Sequence, residues 1–585
     1  MPLILAPAGS MQALKSAIDA GADEIYLGGS LFNARINAAN FDNDALIKAG
    51  KLCRNANVGL HITLNTLIFD REFSSVLEYV DFLYNKVMPN ALIVQDLGLA
   101  KEIRTKFPEI PLHASTQMRI HSFGDAEFLK NLGFTRAVLA RELPKEDIKA
   151  FADTGLETEI FVHGAICISE SGGCLMSSVI GNRSGNRGEC AQPCRLPYRG
   201  KNKFPLSVKD MCLAEHIKEI SDSGVTSLKI EGRMKSPEYV GAVTSIYRRL
   251  VDENRNATKK EIELLEKIFS RSGFTDGYFT SKITPTMFGV RTEEDKRKTD
   301  SLVYKIPKAE KRLSRSNPKP NEMIMPKRDE EKTLHPGKQK GLVLRFEGRL
   351  PTEKFLEKYG ETVARIDVPL RYCTDKRFAP YKEKISAILP RTIFLNELEE
   401  TKNQIKNAFD FGIKNATVSA IHQANLCKDF YIHGDYPFNV VNRKTLEFLE
   451  DFSFSSVMLS PETDGKFPKG SRCALEYIGY GRTPLMNTRT CVIRNLENCQ
   501  NKERCFAILT DRTGAKFPII SAPNHTNTIY NSLPAYRLDR RSELKKSGVG
   551  LITLFFTDES EEQMETVISL AQTKDQKPPF EYTRR

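Results

Sequence analysis

The sequence predicts an α/β fold: a TIM-like (β/α)8 barrel followed by a second, diverged barrel-like α/β domain. Short apolar runs alternate with helix-like segments through the first half of the chain. Strict alternation is typical of a parallel sheet with right-handed crossovers. The chain has 585 residues, more than the roughly 250–300 that one hydrophobic core supports. The second half repeats part of the first, which favours two related domains over one long one.

Eight strand-like runs can be identified in order along the first half. They are predicted at residues 3–8, 24–28, 59–64, 91–94, 112–115, 137–140, 159–162 and 227–230. Ser10 is suited to cap the first helix, because its hydroxyl can accept from a free main-chain N–H, and Gly21 follows as its stop. Further helices are predicted at residues 44–55, 72–85, 100–107, 124–132, 145–152, 213–223 and 237–251. The alternative, a doubly wound open sheet, is less favoured because no GxGxxG turn follows a strand.

Polar side chains follow the predicted strands at their carboxyl ends, where the chemistry of (β/α)8 barrels takes place. The candidate catalytic residues are Arg141, Glu142, His163, Glu231 and Arg233, and the candidate cofactor-binding residues are Arg35, Asn65, Gln95, Thr116 and Gln117. Each alone could be a helix cap or a buried hydrogen-bonding group, but polar ends of several strands at one mouth favour a site. Arg35, Arg141 and Arg233 are suited to pair with a carboxylate.

Five of the 12 cysteines lie in one stretch that begins at a predicted strand end and is rich in Gly, Asn, Arg and Ser. They are Cys167, Cys174, Cys190, Cys194 and Cys212. Four thiolates suit zinc or an iron–sulfur cluster. The two tight CxxC knuckles of a zinc ribbon are missing, whereas iron–sulfur clusters accept irregular spacing. A structural zinc site and unrelated buried thiols remain as alternatives.

The composition excludes several classes of protein and permits an acidic partner. A hydrophobic fraction of 40% and a charged fraction of 27% exclude a disordered, collagenous or membrane-spanning chain. No signal peptide or membrane span is visible, so we expect a cytoplasmic protein that has no membrane partner. The 86 Lys and Arg exceed the 74 Asp and Glu by +12. Such a charge suits RNA or DNA but fits a solvated basic surface equally well.

The C-terminal half repeats features of the first half. The stretch HGDYPFNVVNRKTLEFL from His433 resembles HASTQMRIHSFGDAEFL from His113, at an offset of 320 residues. Strands are predicted in this half at residues 341–346, 362–368, 387–389 and 416–420. The repeat predicts that at least the last part of the barrel is duplicated.

The cysteines of the second half align loosely with those of the first. IGYGRTPLMNTRTC parallels FVHGAICISESGGC and places Cys491 opposite Cys174, and Cys499 and Cys505 follow. These three could hold a second metal with help from Cys473 or Cys427, although a metal-free copy is favoured. Cys53 and Cys373 are isolated and are expected to be ordinary small apolar residues.

Three segments are predicted: a catalytic barrel over residues 1–285, a basic linker over 286–340 and a diverged repeat domain over 341–585. Residues 301–340 hold 11 Lys or Arg against five Asp or Glu, with several prolines and few apolar residues. That composition is typical of a linker or mobile loop. The segment could contact RNA phosphates or serve as a solvated tether.

Residues 159–177, EIFVHGAICISESGGCLMS, resemble the signature of the peptidase U32 family, also called collagenase-like peptidases. LAPAGSMQALKSAIDAGADEIYLGG near the start and SLKIEGRMKSPEYV at residues 227–240 resemble the same family. The resemblance covers residues 1–285 strongly and the rest more weakly. It implies a 4Fe–4S cluster on four cysteines. The family ligands carried over by position are Cys167, Cys174, Cys190 and Cys212, which leaves Cys194 as the spare.

The better-understood branches of that family hydroxylate without oxygen. One acts on the wobble uridine of tRNA with prephenate as the implied hydroxyl donor, one on a cytidine of large-subunit rRNA, and one on the ubiquinone ring. The resemblance therefore implies 5-hydroxylation of a pyrimidine in rRNA or tRNA.

Two other functions stay open. One is the peptidase of the family name. HExxH and GxSxG are absent, so it would need a reactive cysteine such as Cys167 near His163. The other is a non-catalytic RNA-binding protein.

Overall fold

The first barrel is built from eight parallel strands. This computed structural model describes residues 1–36, 38–300, 304, 306–309, 318–326, 329, 331, 339–463, 470–497, 499, 505–522, 525–573 and 577–584. The strands up to residue 300 are β1 Leu3–Pro7, β2 Glu24–Leu27, β3 Gly59–Leu64, β4 Ala91–Val94, β5 Leu112–Ala114, β6 Phe134–Val138, β7 Glu157–Gly164, β8 Asp210–Cys212, β9 Ser227–Ile230 and β10 Phe274–Thr275. β1 to β7 pair in order, and β9 pairs in parallel with both β1 and β7. These pairings close the barrel, so the predicted fold class is confirmed.

Helices connect these strands as the alternation predicts. They are α1 Met11–Asp19, α2 Asn43–Ala56, α3 Phe73–Phe82, α4 Leu97–Lys106, α5 Asp125–Asn131, α6 Lys145–Ala152, α7 Met176–Gly181, α8 Ile217–Asp222, α9 Pro237–Asp252, α10 Lys259–Ile268 and α11 Glu293–Asp300. Ser10 caps α1, since its Oγ accepts from the main-chain N–H of Ala13 at 3.2 Å. Among the strands of this barrel, β6 shifts most, since it begins three residues before the predicted run at 137–140.

A second closed barrel of eight parallel strands follows. The remaining strands are β11 Gly341–Phe346, β12 Arg365–Pro369, β13 Ile385–Ile388, β14 Asn415–Val418, β15 Tyr431–Gly434, β16 Ser456–Met458, β17 Ala474–Gly481, β18 Pro484–Thr488, β19 Phe506–Thr510, β20 Lys516–Ser521, β21 Asn527–Tyr530, β22 Ala535–Tyr536 and β23 Val549–Phe556. β11 to β17 pair in order, and β23 pairs in parallel with both β11 and β17. The helices are α12 Glu353–Tyr359, α13 Leu398–Phe411, α14 Ile421–Leu426, α15 Arg443–Asp451, α16 Val492–Leu496, α17 Arg541–Lys546 and α18 Glu561–Gln572.

The two barrels share local details that support duplication. His113 and His433 both lie in the fifth strand, and a short 3-10 turn follows each strand. Each turn ends in a left-handed residue, Arg119 (φ 64°) and Asn439 (φ 53°), again 320 residues apart. In both barrels, a long insertion separates the seventh strand from the eighth, and each insertion carries cysteines.

The interior of the first barrel holds a buried network of charges. Arg136 donates to Glu24 at 2.6 Å and to Glu159 at 3.1 Å, and Lys229 donates to Glu159 at 2.7 Å. His61 lies in the same interior, 3.6 Å from a Glu24 oxygen. Buried charges require partners of this kind, because an unpaired one costs several kcal/mol.

The structure divides the chain differently from the predicted segments. One compact unit comprises Met1–Ile324 with Met486–Thr528, and the other comprises Met325–Leu485 with Ile529–Arg585. The part of the predicted linker up to Ile324, which includes α11, thus belongs to the first unit, and residues 486–528 belong to the first unit rather than to the predicted C-terminal domain. The insertion joins the first unit because it hydrogen-bonds there, as between Glu170 N–H and the Asn487 carbonyl at 2.7 Å. Much of 301–340 lies outside the described residues. None of the described helices combines the length and apolarity needed to cross a membrane.

Candidate active site at the mouth of the first barrel

Four cysteine thiols lie near one another in the insertion after β7. The thiols of Cys190, Cys194 and Cys167 each raise the pKa of Cys174, after the larger effect of burial. Burial followed by Cys167 and Cys190 likewise raises the pKa of Cys194 to about 12, against the opposing charge of Arg195. These four residues form what we call the cysteine loop cluster. Cys167 and Cys190 are exposed, so the cluster is accessible to solvent.

Two glycines let the loop that carries these four cysteines, which we call the cysteine loop, approach the carboxyl ends of the barrel strands. Gly172 has φ +72°, and a Cβ there would lie 2.2 Å from the carbonyl oxygen of Gln117. Gly188 has φ +86°, and a Cβ there would lie 2.3 Å from the carbonyl oxygen of Asn33. Side chains fit neither position, because both the backbone conformation and the close contact favour glycine.

Glu142 connects the loop to the barrel. Its carboxylate accepts from the main-chain N–H of Ser171 at 2.7 Å and from the Ser171 hydroxyl at 3.0 Å. His121 Nε2 lies 2.5 Å from the same carboxylate. Burial alone would raise the pKa of Glu142, but His121 and Ser171 lower it to about 2. The predicted catalytic role of Glu142 stays a prediction; its contacts are those of an anchor for the loop.

Cys212 has different neighbours from the cysteine loop cluster. It lies in β8, is buried, and its Sγ is 3.6 Å from the Tyr247 hydroxyl. Burial raises its pKa to about 12, and no other cysteine is among the main groups that shift it. The neighbourhood therefore associates Cys194 with the other three cysteines, whereas the family resemblance selected Cys212.

Three arginines converge on one carboxylate beside the cluster. Arg35 donates to Glu231 at 3.2 Å, and an Arg141 nitrogen lies 3.8 Å from the other Glu231 oxygen. Burial would raise the pKa of Glu231, but Arg35, Arg141 and Arg233 lower it. Electrostatic attraction to Glu231 and, after it, to Cys167 raises the pKa of Arg35. The three arginines, with Glu231, thus carry a formal charge of +2 next to the cysteine loop.

Arg233 interacts electrostatically with Glu231 and hydrogen-bonds to neutral side chains. Its guanidinium donates to Asn33 at 3.1 Å, to Asn40 at 2.7 Å and to Thr63 at 3.3 Å. Burial lowers its pKa to about 10. Asn33, Asn40 and Thr63 were missed by the sequence analysis, because amide and hydroxyl residues in loops give no signal of their partner.

His163 is buried behind the site. Its Nδ1 lies 3.3 Å from the Tyr247 hydroxyl, and in the part of the chain that the structure describes its Nε2 has no hydrogen-bond partner. Burial, and secondarily Lys235, lowers its pKa to about 3. The imidazole is therefore neutral at physiological pH, and its predicted catalytic role stays untested.

The four uncharged candidates at the strand ends have separate roles. Asn65 accepts from the main-chain N–H of Ala34 at 3.0 Å and so supports the segment that carries Arg35. Thr116 donates to the Leu139 carbonyl at 3.1 Å. Gln95 is buried with neither amide atom hydrogen-bonded to a described residue, and the same holds for Gln117 Oε1. Unpaired buried amides are rare, so Gln95 is the best-placed of these four to contact a bound molecule.

Lys235 is a further candidate that the sequence analysis missed. It follows Arg233 by two residues in the loop after β9, and its Nζ lies over the ring of Phe269. Burial lowers its pKa to about 7, although Asp210 acts in the opposite direction. An amine with this pKa can take or release a proton near neutral pH. Lys235 lies in the SLKIEGRMKSPEYV stretch that resembles the U32 family, and this position could have identified it from the sequence.

The corresponding mouth of the second barrel is balanced in charge. Arg345 donates to Asp435 at 2.8 Å, Arg391 donates to Glu347 at 2.8 Å, and the Tyr530 hydroxyl donates to Glu347 at 3.0 Å. These two arginines face two carboxylates.

The fold and site define an α/β-barrel protein with a cysteine loop and an arginine cluster at its catalytic end. The family model for peptidase family U32 matches residues 9–287. A "tRNA hydroxylation protein P1" of Bacillus subtilis (strain 168) is 33% identical over 296 residues, covering 47% of this chain and 70% of the relative. A "Collagenase" of Porphyromonas gingivalis (strain ATCC BAA-308 / W83) is 33% identical over 309 residues, covering 47% of this chain and 73% of the relative.

A third relative shares less of its length. The "23S rRNA 5-hydroxycytidine C2501 synthase" of Escherichia coli (strain K12) is 39% identical over 259 residues, covering 43% of this chain but only 39% of that protein. Together with the family model, these matches place the chain plainly: it belongs to peptidase family U32, as its signature stretch predicts.

Proposed function

We propose that this protein is an iron–sulfur-dependent RNA hydroxylase that converts the C5–H of a pyrimidine into C5–OH. The observation that carries the proposal is the adjacency of the cysteine loop cluster and the arginine cluster, since Arg35 interacts electrostatically with both Cys167 and Glu231. A metal centre and an anion site would then share one mouth. The relatives named for rRNA and tRNA hydroxylation supply the class of substrate.

The proposed ligands of a 4Fe–4S cluster are Cys167, Cys174, Cys190 and Cys194. Their thiols influence one another's pKa, yet no three of these four described sulfurs all lie within 4.8 Å of one another. A Zn²⁺ ion with Zn–S bonds of about 2.3 Å would need sulfurs about 3.8 Å apart. The irregular spacing of these cysteines along the chain is of a kind that an iron–sulfur centre accepts. When bound, the cluster supplies one-electron redox chemistry or Lewis acidity at the mouth.

The proposed hydroxyl donor is a small dicarboxylate, for which prephenate is the candidate. Arg35, Arg141 and Arg233 carry a formal +2 over Glu231, which matches the charge of a dianion. Arginine forks bind carboxylates through paired hydrogen bonds. The unpaired amide of Gln95 offers a neutral contact to the same molecule.

The reaction balances as an exchange between base and donor. The base loses hydrogen from C5 and gains a hydroxyl, which is a two-electron oxidation, so the donor that gives up the hydroxyl is reduced by two electrons. The proton released from C5 needs an acceptor. Lys235 is suited to that role because its pKa is near 7, and general bases work best near the working pH.

The RNA partner is supported by charge and by relatives. The chain has a net charge of +12, which favours contact with phosphates. The relative named for rRNA is 39% identical and the one named for tRNA is 33% identical, so rRNA is the first substrate to test.

The alternative function is proteolysis, which the relative named Collagenase supports. It requires an activated nucleophile. The Nδ1 of His163 is occupied by Tyr247, and its pKa of about 3 gives a weak base. Hydrolysis of gelatin by purified protein, lost on Cys167→Ala, would favour this alternative over RNA hydroxylation.

The deciding experiment combines spectroscopy and RNA analysis. Protein purified without oxygen is expected to contain about four irons and four sulfides per chain and to absorb in the visible range. RNA from a deletion strain is expected to lack one hydroxypyrimidine by mass spectrometry, restored by the wild-type gene and not by Cys167→Ala. Unchanged rRNA and tRNA in the deletion strain would defeat the proposal.

A further inference from the structure

A second set of metal-binding side chains lies in the insertion of the second barrel. Cys491 immediately precedes α16, Cys499 follows that helix, Cys505 immediately precedes β19, and His525 lies two residues before β21. The ligand atoms of Cys491, Cys499 and His525 all lie within 4.8 Å of one another. Cys499 Sγ is 3.7 Å from Cys505 Sγ and 3.7 Å from His525 Nδ1.

The two contacts of Cys499 have the lengths expected between ligands of one tetrahedral ion, whereas Cys505 lies outside the group of three whose ligand atoms are all within 4.8 Å of one another. Zinc–sulfur bonds of about 2.3 Å and zinc–nitrogen bonds of about 2.0–2.1 Å place sulfurs about 3.8 Å apart and sulfur and nitrogen about 3.6 Å apart. The sulfur–sulfur and sulfur–nitrogen contacts of Cys499 are within about 0.2 Å of these values. The cysteine loop cluster of the first barrel does not show this close spacing.

The surrounding backbone orients the set. Cys491 Sγ accepts from the main-chain N–H of Arg494 at 3.3 Å, which fixes the direction of the side chain. His525 adopts φ +59°, in the left-handed region that a residue with a Cβ occupies only when its surroundings require it. The Asn527 amide donates to the His525 carbonyl at 3.1 Å and holds that turn.

We propose that Cys491, Cys499, Cys505 and His525 bind one Zn²⁺ ion in a structural Cys3His site. Four protein ligands leave no open position, which is the mark of structural rather than catalytic zinc. The three thiols lose their protons on binding and the imidazole binds as the neutral form. The fourth ligand is His525, where the sequence had offered Cys473 or Cys427.

Other uses of these residues explain fewer of them. A disulfide would join Cys499 to Cys505 and leave Cys491 and His525 without a role. A cysteine nucleophile activated by His525 would need one thiol, not three. A single ion accounts for all four side chains together.

The ion would stabilise a segment that contacts the cysteine loop of the first barrel. Within this compact unit, the Asn495 amide donates to the Pro205 carbonyl at 2.8 Å, and the Asn202 amide donates to Asn495 at 2.9 Å. Ser169 and Thr488 form an antiparallel bridge. The described strands β18 to β21 form one small sheet, and small folds commonly depend on a metal.

The test is metal analysis of the full chain purified anaerobically with reductant. We expect about one zinc per chain, at least tenfold less zinc in Cys499→Ser and in His525→Ala, and unchanged zinc in the matched control Cys427→Ala. Cys167→Ser is expected to change iron and not zinc, so this site and the proposed function can fail independently.

Cobalt substitution keeps the proposal testable if a variant fails to fold. Wild-type protein exchanged with Co²⁺ is expected to show the intense visible bands of tetrahedral thiolate coordination. A reduced wild-type protein without zinc, zinc that persists in Cys499→Ser, or a metal-free Cys499–Cys505 disulfide found by peptide mass spectrometry would each overturn the proposal.

Discussion

At the scale of single residues, the two possible ligand sets for an iron–sulfur cluster differ in one member, which is either Cys194 or Cys212. Position along the chain favours Cys212, whereas the pKa shifts associate Cys194 with Cys174, Cys167 and Cys190. A buried strand thiol whose neighbours are the Tyr247 hydroxyl and the Ala214 main chain is typical of an ordinary core residue.

We predict that Cys194→Ala lowers iron content at least tenfold and that Cys212→Ala leaves it nearly unchanged. Loss of a ligand should exceed the 10- to 100-fold effects typical of groups that only support a ligand. Iron and sulfide assays on the two variants, purified anaerobically side by side, measure the difference. Full iron in Cys194→Ala with iron lost in Cys212→Ala would restore the ligand set that the resemblance implies.

Lys235 supplies a prediction about pH. Its folded pKa is about 7, so the neutral, proton-accepting amine increases as the pH rises through 7. We expect the rate of RNA hydroxylation to rise through that range and Lys235→Met to lower the rate by roughly 10²-fold or more. A pH–rate profile of wild type and Lys235→Met provides the measurement, with the exposed Arg297→Gln as the control. An unchanged profile in Lys235→Met would remove Lys235 from the proton transfer.

At the scale of structural elements, the insertion after the seventh strand carries the chemistry. β7 and β9 are neighbours in the closed barrel, and the long segment between them starts at the carboxyl end of β7, which is the mouth of the barrel. The glycine contacts at Gly172 and Gly188 and the carboxylate of Glu142 hold it there.

Glu142→Gln tests that anchoring. The amide keeps the shape but loses the charge that binds His121 and Ser171, and buried hydrogen bonds to charged groups are worth roughly 1.5–3 kcal/mol. We expect a lower melting temperature and a faster loss of iron in air. Visible absorption measures the loss of iron over time. Glu189→Gln, an exposed carboxylate of the same loop, is the matched control. Equal iron loss in both variants would argue against an anchoring role.

At the scale of the whole molecule, both barrels bury neutral histidines in their interior. Burial lowers the pKa of His61 to about 4, against the attraction of Glu24. Burial also lowers the pKa of His113 and His433 well below the usual value. In the unfolded chain each histidine takes a proton near pH 6.5.

Acid should therefore destabilise the fold. Because the folded pKa of His61 is depressed, its contribution to stability is complete above pH 6.5 and is lost progressively down to about pH 4. His61 alone should lower the free energy of unfolding by about 2 kcal/mol between pH 7.5 and pH 5.0. Urea unfolding at the two pH values measures this, and His61→Asn should show a smaller difference. A difference as large in His61→Asn as in wild type would exclude His61 as a source.

The sequence by itself determined the fold class, because alternation of apolar strands and amphipathic helices is local and survives without tertiary context. It also located the cysteine loop, the arginines Arg35, Arg141 and Arg233, and the repeat at an offset of 320 residues. The U32 family follows from the same stretches and is confirmed by the matches.

Only the tertiary structure decided which of these residues are neighbours. It associates Cys194 with the cysteine loop cluster and brings Arg35, Arg141 and Arg233 near Glu231. It also buries Lys235, which lowers the pKa of that amine, and it places His525 beside cysteines from other parts of the insertion. It also joins residues 486–528 to the first unit. Such groupings depend on closure of each barrel and on the path of its last insertion, and these bring together residues that linear spacing leaves far apart.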